Sequence, residues 1–331
     1  MCGGQIDTRN DPRSTMSPRP IIIDCDPGLD DAINLFLAMS SPEELDILGI
    51  TTVAGNVSLD LTQRNASCVR DLAGRDDIRV FAGCSRPLQR ELVTAENIHG
   101  KDGLGGIELA APQRPAEDKH AVEFIIETLL ALPDDSITLV LTGPLTNAAT
   151  AMVKERAIVN KIADIVLMGG AMREAGNISP SAEFNILIDP HAAEIVLQCG
   201  RPITALGLDA THQALVSSEH RERIRRIDND PGRATSKMLD YYMRHSTERF
   251  GAAGAPLHDP CTVAWLLRPD LFASKPCNVA VETRSELTVG HTAVDFWGVT
   301  GRPANVAWVY QIDADGLFDL LTERLDRFAT T

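Results

Sequence analysis

The chain has 331 residues, 44% of them hydrophobic and 23% charged, an ordinary balance for a soluble enzyme. A net charge of −15 argues against a nucleic-acid polymer or an anionic membrane as partner. Seven cysteines without any CxxC spacing argue against a disulfide scaffold and for a reducing cytoplasm, and no apolar stretch approaches the length of a membrane span.

The segment Met1–Pro20 is polar and lacks the apolar core of a signal peptide. Residues 1–19 therefore read as a flexible extension, with Met16 as an alternative start, and residues 20–331 as the folded domain. Short runs of branched apolar residues follow at Ile21–Asp24, Ile47–Val53, Arg79–Ala82, Ile137–Leu141, Ile165–Met168 and Ile203–Leu208, the pattern of strands buried on both faces. Amphipathic segments at Asp31–Ser40, Leu59–Leu72, Ala121–Leu132, Leu145–Lys154 and Pro190–Gln198 alternate with them. Asp189-Pro190 is a good helix entry, an N-cap acid followed by proline at the first helical position. Length alone suggests two domains, but this regular alternation predicts one large α/β domain: a mostly parallel central sheet flanked by helices, with ligands at the carboxyl ends of the strands.

Beyond residue 210 the alternation breaks down. Ser217–Arg226, Pro231–Glu248 and Asp259–Leu267 read as helices, and Cys277–Glu282, Gly290–Val294 and Val306–Gln311 as shorter, antiparallel strands. Two long irregular stretches, Gly83–Lys119 and Gly169–Ile188, are unusual in a compact domain and point to function.

The densest chemistry lies at Asp24-Cys25-Asp26-Pro27-Gly28-Leu29-Asp30-Asp31, four carboxylates in eight positions directly after Ile21-Ile22-Ile23. Two unit charges about 4 Å apart interact by roughly 4 kcal/mol at the effective dielectric of a protein site. Protonation, spreading into solvent or a divalent cation can relieve that repulsion. The setting favours the cation: a buried strand, a Pro-Gly turn and a helix start bring Asp24 and Asp26 to one side of the strand end and place Asp30 and Asp31 at a helix N-terminus, so that all four converge. Cys25, alternating away from the acids, reads as core.

This string resembles the opening motif of the nucleoside hydrolases, calcium-dependent enzymes that cleave the N-glycosidic bond of ribonucleosides. TVAGNV (Thr52–Val57), IHGKDGLGG (Ile98–Gly106), LTGPLTN (Leu141–Asn147), MGG (Met168–Gly170), AEFNILIDPHAA (Ala182–Ala193) and LHDP (Leu257–Pro260) follow in the family's order, and the similarity covers roughly residues 20 to 325. The resemblance implies that Asp26 touches the metal and takes the proton from the attacking water. It further implies that Asp31, Asp259 and the Thr142 carbonyl complete the protein ligands, and that His258 protonates the leaving base. Hard oxygen donors without Cys or His suit calcium or magnesium, and seven or eight ligands, once ribose hydroxyls and waters are counted, suit calcium. Asp30 and Asn56 match ribose-binding positions, and Asn177, Glu183 and Asn185 match further sugar contacts, with Met168 and Phe184 beside them. For Asn56 and Asn177, backbone capping in a loop is the alternative. His99 matches a position near the base.

The helix Tyr241–Glu248 would supply base contacts, with Tyr242, His245, Ser246 and Phe250 as candidates that do not align uniquely. The apolar, strand-like run Ile186-Leu187-Ile188 lacks an aromatic residue common in the family, and His191 stands where an acid is common. A homodimer or homotetramer is implied too. Two rivals remain: a haloacid dehalogenase-type phosphatase using Asp24 as nucleophile with magnesium, and an inactive metal-binding member of the same fold. The first lacks Thr or Val two places after the second Asp, where Gly28 stands.

Overall fold

A computed structural model describes residues 17–250 and 254–329, the side chains of 245–250 excepted. Most of the expected extension, with Met16, and the side chains of His245, Ser246 and Phe250 lie outside the described residues. Nine strands build one sheet: β1 (Arg19–Cys25), β2 (Leu45–Thr52), β3 (Val80–Ala82), β4 (Ile137–Leu141), β5 (Ile162–Met168), β6 (Ile203–Leu206), β7 (Phe272–Val281), β8 (Thr292–Asp295) and β9 (Val306–Ile312). Their order is β3-β2-β1-β4-β5-β6-β9-β7-β8. Pairings from β3 through to β9 are parallel, and β7 runs antiparallel to both β8 and β9. The predicted architecture is thus present; of the C-terminal strands, all expected to be antiparallel, β7 pairs antiparallel with its neighbours while β9 also continues the parallel sheet beside β6, and β7 starts five residues before the predicted Cys277.

The chain leaves β1 for β2 and β3 on one side, then returns to β4 on the other side of β1. Between β1 and β4 the direction of winding reverses, opening a crevice at the strands' carboxyl ends. Ile21, Ile22 and Ile23 are fully buried between these neighbours, with Ile21 and Ile23 packing into one apolar layer and Ile22 into the other. The central strand is therefore held from both faces, which fixes where its acidic end projects.

Several elements differ from expectation. Ile186-Leu187-Ile188 is not strand-like but belongs to a short helix, Phe184–Ile188, because the Glu183 carboxylate caps it by accepting from the Asn185 and Ile186 amides. The predicted strand to Leu208 ends at Leu206, and a helical turn, Leu208–Thr211, begins at once. A C-terminal helix, Ala314–Asp326, for which no element is predicted, packs Leu317, Phe318 and Leu321 into the core.

Candidate active site

The acid-rich turn sits at the β1–β4 switch. Its shape is set by short contacts: the Gly28 amide donates to Asp31 Oδ2 (3.1 Å), and Leu29 N–H donates to His99 Nδ1 (3.1 Å). A side chain at position 28 would collide with His99, its Cβ falling 2.5 Å from Nδ1, so glycine lets the loop carrying His99 close over the turn. Asn56 binds the turn twice, with its amide on Asp26 Oδ2 (2.6 Å) and its Nδ2 on the Asp26 carbonyl (3.1 Å) and Asp31 Oδ2 (3.2 Å). Thr142 Oγ1 donates to Asp31 Oδ1 (2.8 Å) from the end of β4.

Three carboxylates, Asp30, Asp31 and Asp259, offer oxygens that all lie within 4.8 Å of one another, and all three are buried. Asp26 adjoins this group. One of its oxygens is taken by the Asn56 amide, while Oδ1 is buried without a hydrogen-bond partner among the described residues. Glycines flank that carboxylate: a Cβ at Gly55 would fall 2.0 Å from Oδ2, and one at Gly143 2.7 Å from Oδ1.

Burial, reinforced by Asp31, pushes the Asp26 carboxyl well above the usual range, and burial with Asp30 pushes Asp31 up to about 7. Asp259 is raised strongly by burial and then by Asp30 and Asp31. Buried carboxylates crowded this way, one with an orphaned oxygen, fit a hard divalent cation, which would neutralise the charge and occupy the free lone pairs. The residues present can therefore hold a metal.

Asp24 does not join them. Its Oδ1 accepts from Thr51 Oγ1 (2.5 Å) and Asn147 Nδ2 (2.8 Å), and Asn147 also reaches the Thr52 carbonyl (3.0 Å). The expected convergence of all four acids is corrected here. Strand alternation stops at Cys25, so Asp26 lies past the strand and need not share a side with Asp24. Cys25 is buried, as expected, with Sγ against the Thr51 carbonyl at 3.6 Å.

A cavity of about 440 Å³ opens beside the acids. It brings together Asp30, Asn56, His99, Thr142, Met168, Asn177, Glu183, Phe184, Asn185, Tyr242, His258 and Asp259, which the sequence places across more than two hundred positions. Asp26 and Asp31 are fully buried and do not themselves line it. Asn185 Nδ2 bridges the carbonyls of Thr142 (2.8 Å) and Met168 (3.2 Å), tying β4 to β5 at the cavity floor. Glu183 accepts from the Gly170 amide (3.0 Å) besides capping its helix, and Asn177 accepts from Phe184 N–H (2.9 Å). Asn56 and Asn177 thus make the backbone bonds of the alternative reading and also line the cavity.

His258 is half-buried, and desolvation pulls its imidazole down to about 4, against the opposing pull of Asp30. Its Nδ1 shares a hydrogen bond with Thr211 Oγ1 at 2.8 Å. Next along the chain His212, which also lines the cavity, sets its ring 5.7 Å from that of His258 and pairs through Nδ1 with Glu174 Oε2 at 3.1 Å. Thr211, His212 and Glu174 have no place in the sequence-based site. The signal that would have found them is position: Asp209 to His212 follow β6 directly, at the edge where ligands bind.

A doubly wound α/β sheet whose switch-point crevice joins a buried carboxylate cluster able to hold a metal to a cavity lined by histidines has the architecture of an enzyme acting on a small molecule. Comparison with known proteins narrows this. The profile of the family described as inosine-uridine preferring nucleoside hydrolase matches residues 21–319, and the chain belongs to that family, enzymes that hydrolyse the N-glycosidic bond of ribonucleosides. Among its relatives, a pyrimidine-specific ribonucleoside hydrolase, RihA, of Photobacterium profundum is 48% identical over 311 residues, covering 94% of this chain and 99% of the relative. A plant nucleoside hydrolase structure superposes with a TM-score of 0.87 at 33% identity, covering 93% of this chain and 99% of the other. The purine-preferring ribonucleoside hydrolase from Gardnerella vaginalis gives a TM-score of 0.87 at 32% identity, with 94% and 99% covered. The phosphatase alternative is not favoured by these matches.

Proposed function

We propose that the protein hydrolyses pyrimidine ribonucleosides to ribose and free base, with Asp26, Asp31, Asp259 and the Thr142 carbonyl holding one calcium ion. The observation that carries this reading is the buried acid cluster with the orphaned Asp26 Oδ1, opening beside a cavity that His258 shares. Pyrimidine preference rests on the 48% identity to the pyrimidine-specific relative against 32% to the purine-preferring one.

Bound calcium would lower the pKa of a coordinated water and orient it towards the sugar. Asp26, held by the Asn56 amide and fenced by Gly55 and Gly143, takes the proton of the attacking water. Asp30, Asn56, Asn177, Glu183 and Asn185 surround the ribose, and backbone bonds keep the last four rigid, so that binding energy goes into distorting the sugar. Met168 and Phe184 pack beside the sugar, and His99 and Tyr242 face the base.

As the glycosidic bond lengthens, positive charge grows on the sugar and negative charge on the base. The protonated His258 ring gives its proton to the base as that charge develops and returns to the neutral form that its surroundings favour. Work in the cytoplasm as a homodimer or homotetramer belongs to the same reading. It is supported by the six described cysteines being free and by exposed Leu287, Trp297 and Val299.

The test is ribose release from uridine, cytidine, inosine and deoxyuridine, with calcium and after dialysis against chelator. Activity that needs calcium is expected, with deoxyuridine cleaved at least about a hundredfold less efficiently than uridine. Removing the 2′-OH leaves a buried charged group unpaired, and each 1.4 kcal/mol is about a factor of ten. Full activity in chelator, or equal kcat/KM for uridine and deoxyuridine, would sink this site assignment.

A further inference from the structure

The segment following β6 organises one end of the cavity. The Asp209 carboxylate accepts from three successive amides, Met172 (2.7 Å), Arg173 (2.7 Å) and Glu174 (3.3 Å), and so fixes the loop that carries Glu174. Two residues on, Thr211 holds His258, and His212 meets the Glu174 carboxylate. Glu174 and His212 therefore face the cavity from two different loops, both set by Asp209, with the His212 ring beside that of His258.

A carboxylate only accepts hydrogen bonds, so Nδ1 is the protonated nitrogen of His212, and in the neutral ring Nε2 is then an acceptor. We propose that His212, oriented by Glu174, is a specificity-determining residue: it reads the exocyclic edge of the nucleobase and favours bases that present an amino donor, cytosine above all, over those that present a keto oxygen. This rests on the nucleoside hydrolase reading and on the assignment of His258 to the leaving base. If His258 meets the departing base, a ring 5.7 Å away on the same wall lies within reach of the base's substituents. Leu215 and Pro256 add apolar surface to the same cavity. An acceptor facing a keto oxygen leaves both lone pairs unpaired, whereas an amino group satisfies it.

The experiment measures kcat/KM for cytidine and uridine at pH 8 in the calcium-loaded wild type and in His212→Phe, His212→Gln and Glu174→Ala. His212→Phe keeps a planar ring but removes the acceptor, and it should lower the cytidine-to-uridine ratio about 3- to 10-fold, mainly through the cytidine KM, as expected for one neutral hydrogen bond. His212→Gln, which returns an acceptor near the Nε2 position, should restore part of the ratio. Glu174→Ala, a change at a half-exposed side chain that should leave folding intact, should lower the ratio by a smaller factor. An unchanged ratio in His212→Phe and Glu174→Ala, or equal losses on both substrates, would overturn the proposal while leaving nucleoside hydrolysis standing. Absence of wild-type turnover on every riboside would overturn the functional reading and this assignment with it.

Discussion

The two ends of the cavity are built differently. At the acid end, Asp26, Asp31 and Thr142 are at most 1% exposed, and short bonds from β1, β4 and the Asn56 loop hold the carboxylates. At the other end, the His212 and Glu174 side chains are 32% and 48% exposed, and they are joined by a single contact between loops. One end is over-determined, as a site must be that keeps mutually repelling charges in place. The other is held by surface pairing, which contributes little stability and can change without loss of the fold. On the proposed reading, the sugar and metal chemistry is fixed by the sheet, and the choice of base is left to replaceable side chains.

The largest expected effect tests the rigid end. Asp26→Ala or Asp31→Ala should abolish measurable turnover on every riboside and remove the calcium-induced rise in melting temperature, followed by differential scanning calorimetry with and without the ion. A calcium response that survives in both variants would dissociate the acids from the metal.

A smaller effect is expected at the boundary between the two ends. His258→Ala should slow uridine and inosine hydrolysis about 10²–10⁴-fold, the range for general acid catalysis. Nitrophenyl riboside should be nearly unaffected, because nitrophenolate leaves without a proton. Equal losses on both kinds of substrate would move His258 to a positioning role.

The smallest effect is one of stability. In the chelated protein the folded-state pKa values of Asp24, about 6, and Asp31, about 7, lie above the ordinary 3.8. The folded state then binds more protons than the unfolded one between those values, so stability is greatest below about pH 4 as far as these groups are concerned and declines as pH rises to about 7. The melting temperature of the chelated protein should fall by several degrees from pH 5 to 7.5, and the stabilisation by calcium should be larger at pH 7.5 than at pH 5. A calcium effect independent of pH would count against the acids as its ligands.

Much of the rigid end was legible because its cost is local. Four acids after a triple-isoleucine strand demand a compensating partner, and Asp259 could be joined to them through its LHDP setting. Strand alternation fails as a guide once β1 ends at Cys25, and Asp24 belongs with Thr51 and Asn147 rather than with the cluster. The branched run Ile186–Ile188 looked like a strand, but the cap supplied by Glu183 decided for helix. The Glu174–His212 contact joins loops that share no periodicity and no neighbouring motif, so nothing local announces it. Only the fold, by ending β6 at Leu206, brings residues 209–212 to the ligand edge.

The switch point has one more consequence, for how the protein is made. β1 and its acidic turn are translated before the other strands of the sheet, yet Asp259 emerges only after β6. Until then the turn carries its charges without the last member of the cluster. On the proposed reading, the full ligand set exists only once Asp259 has been made, so that cation capture would report on completed folding rather than seed it.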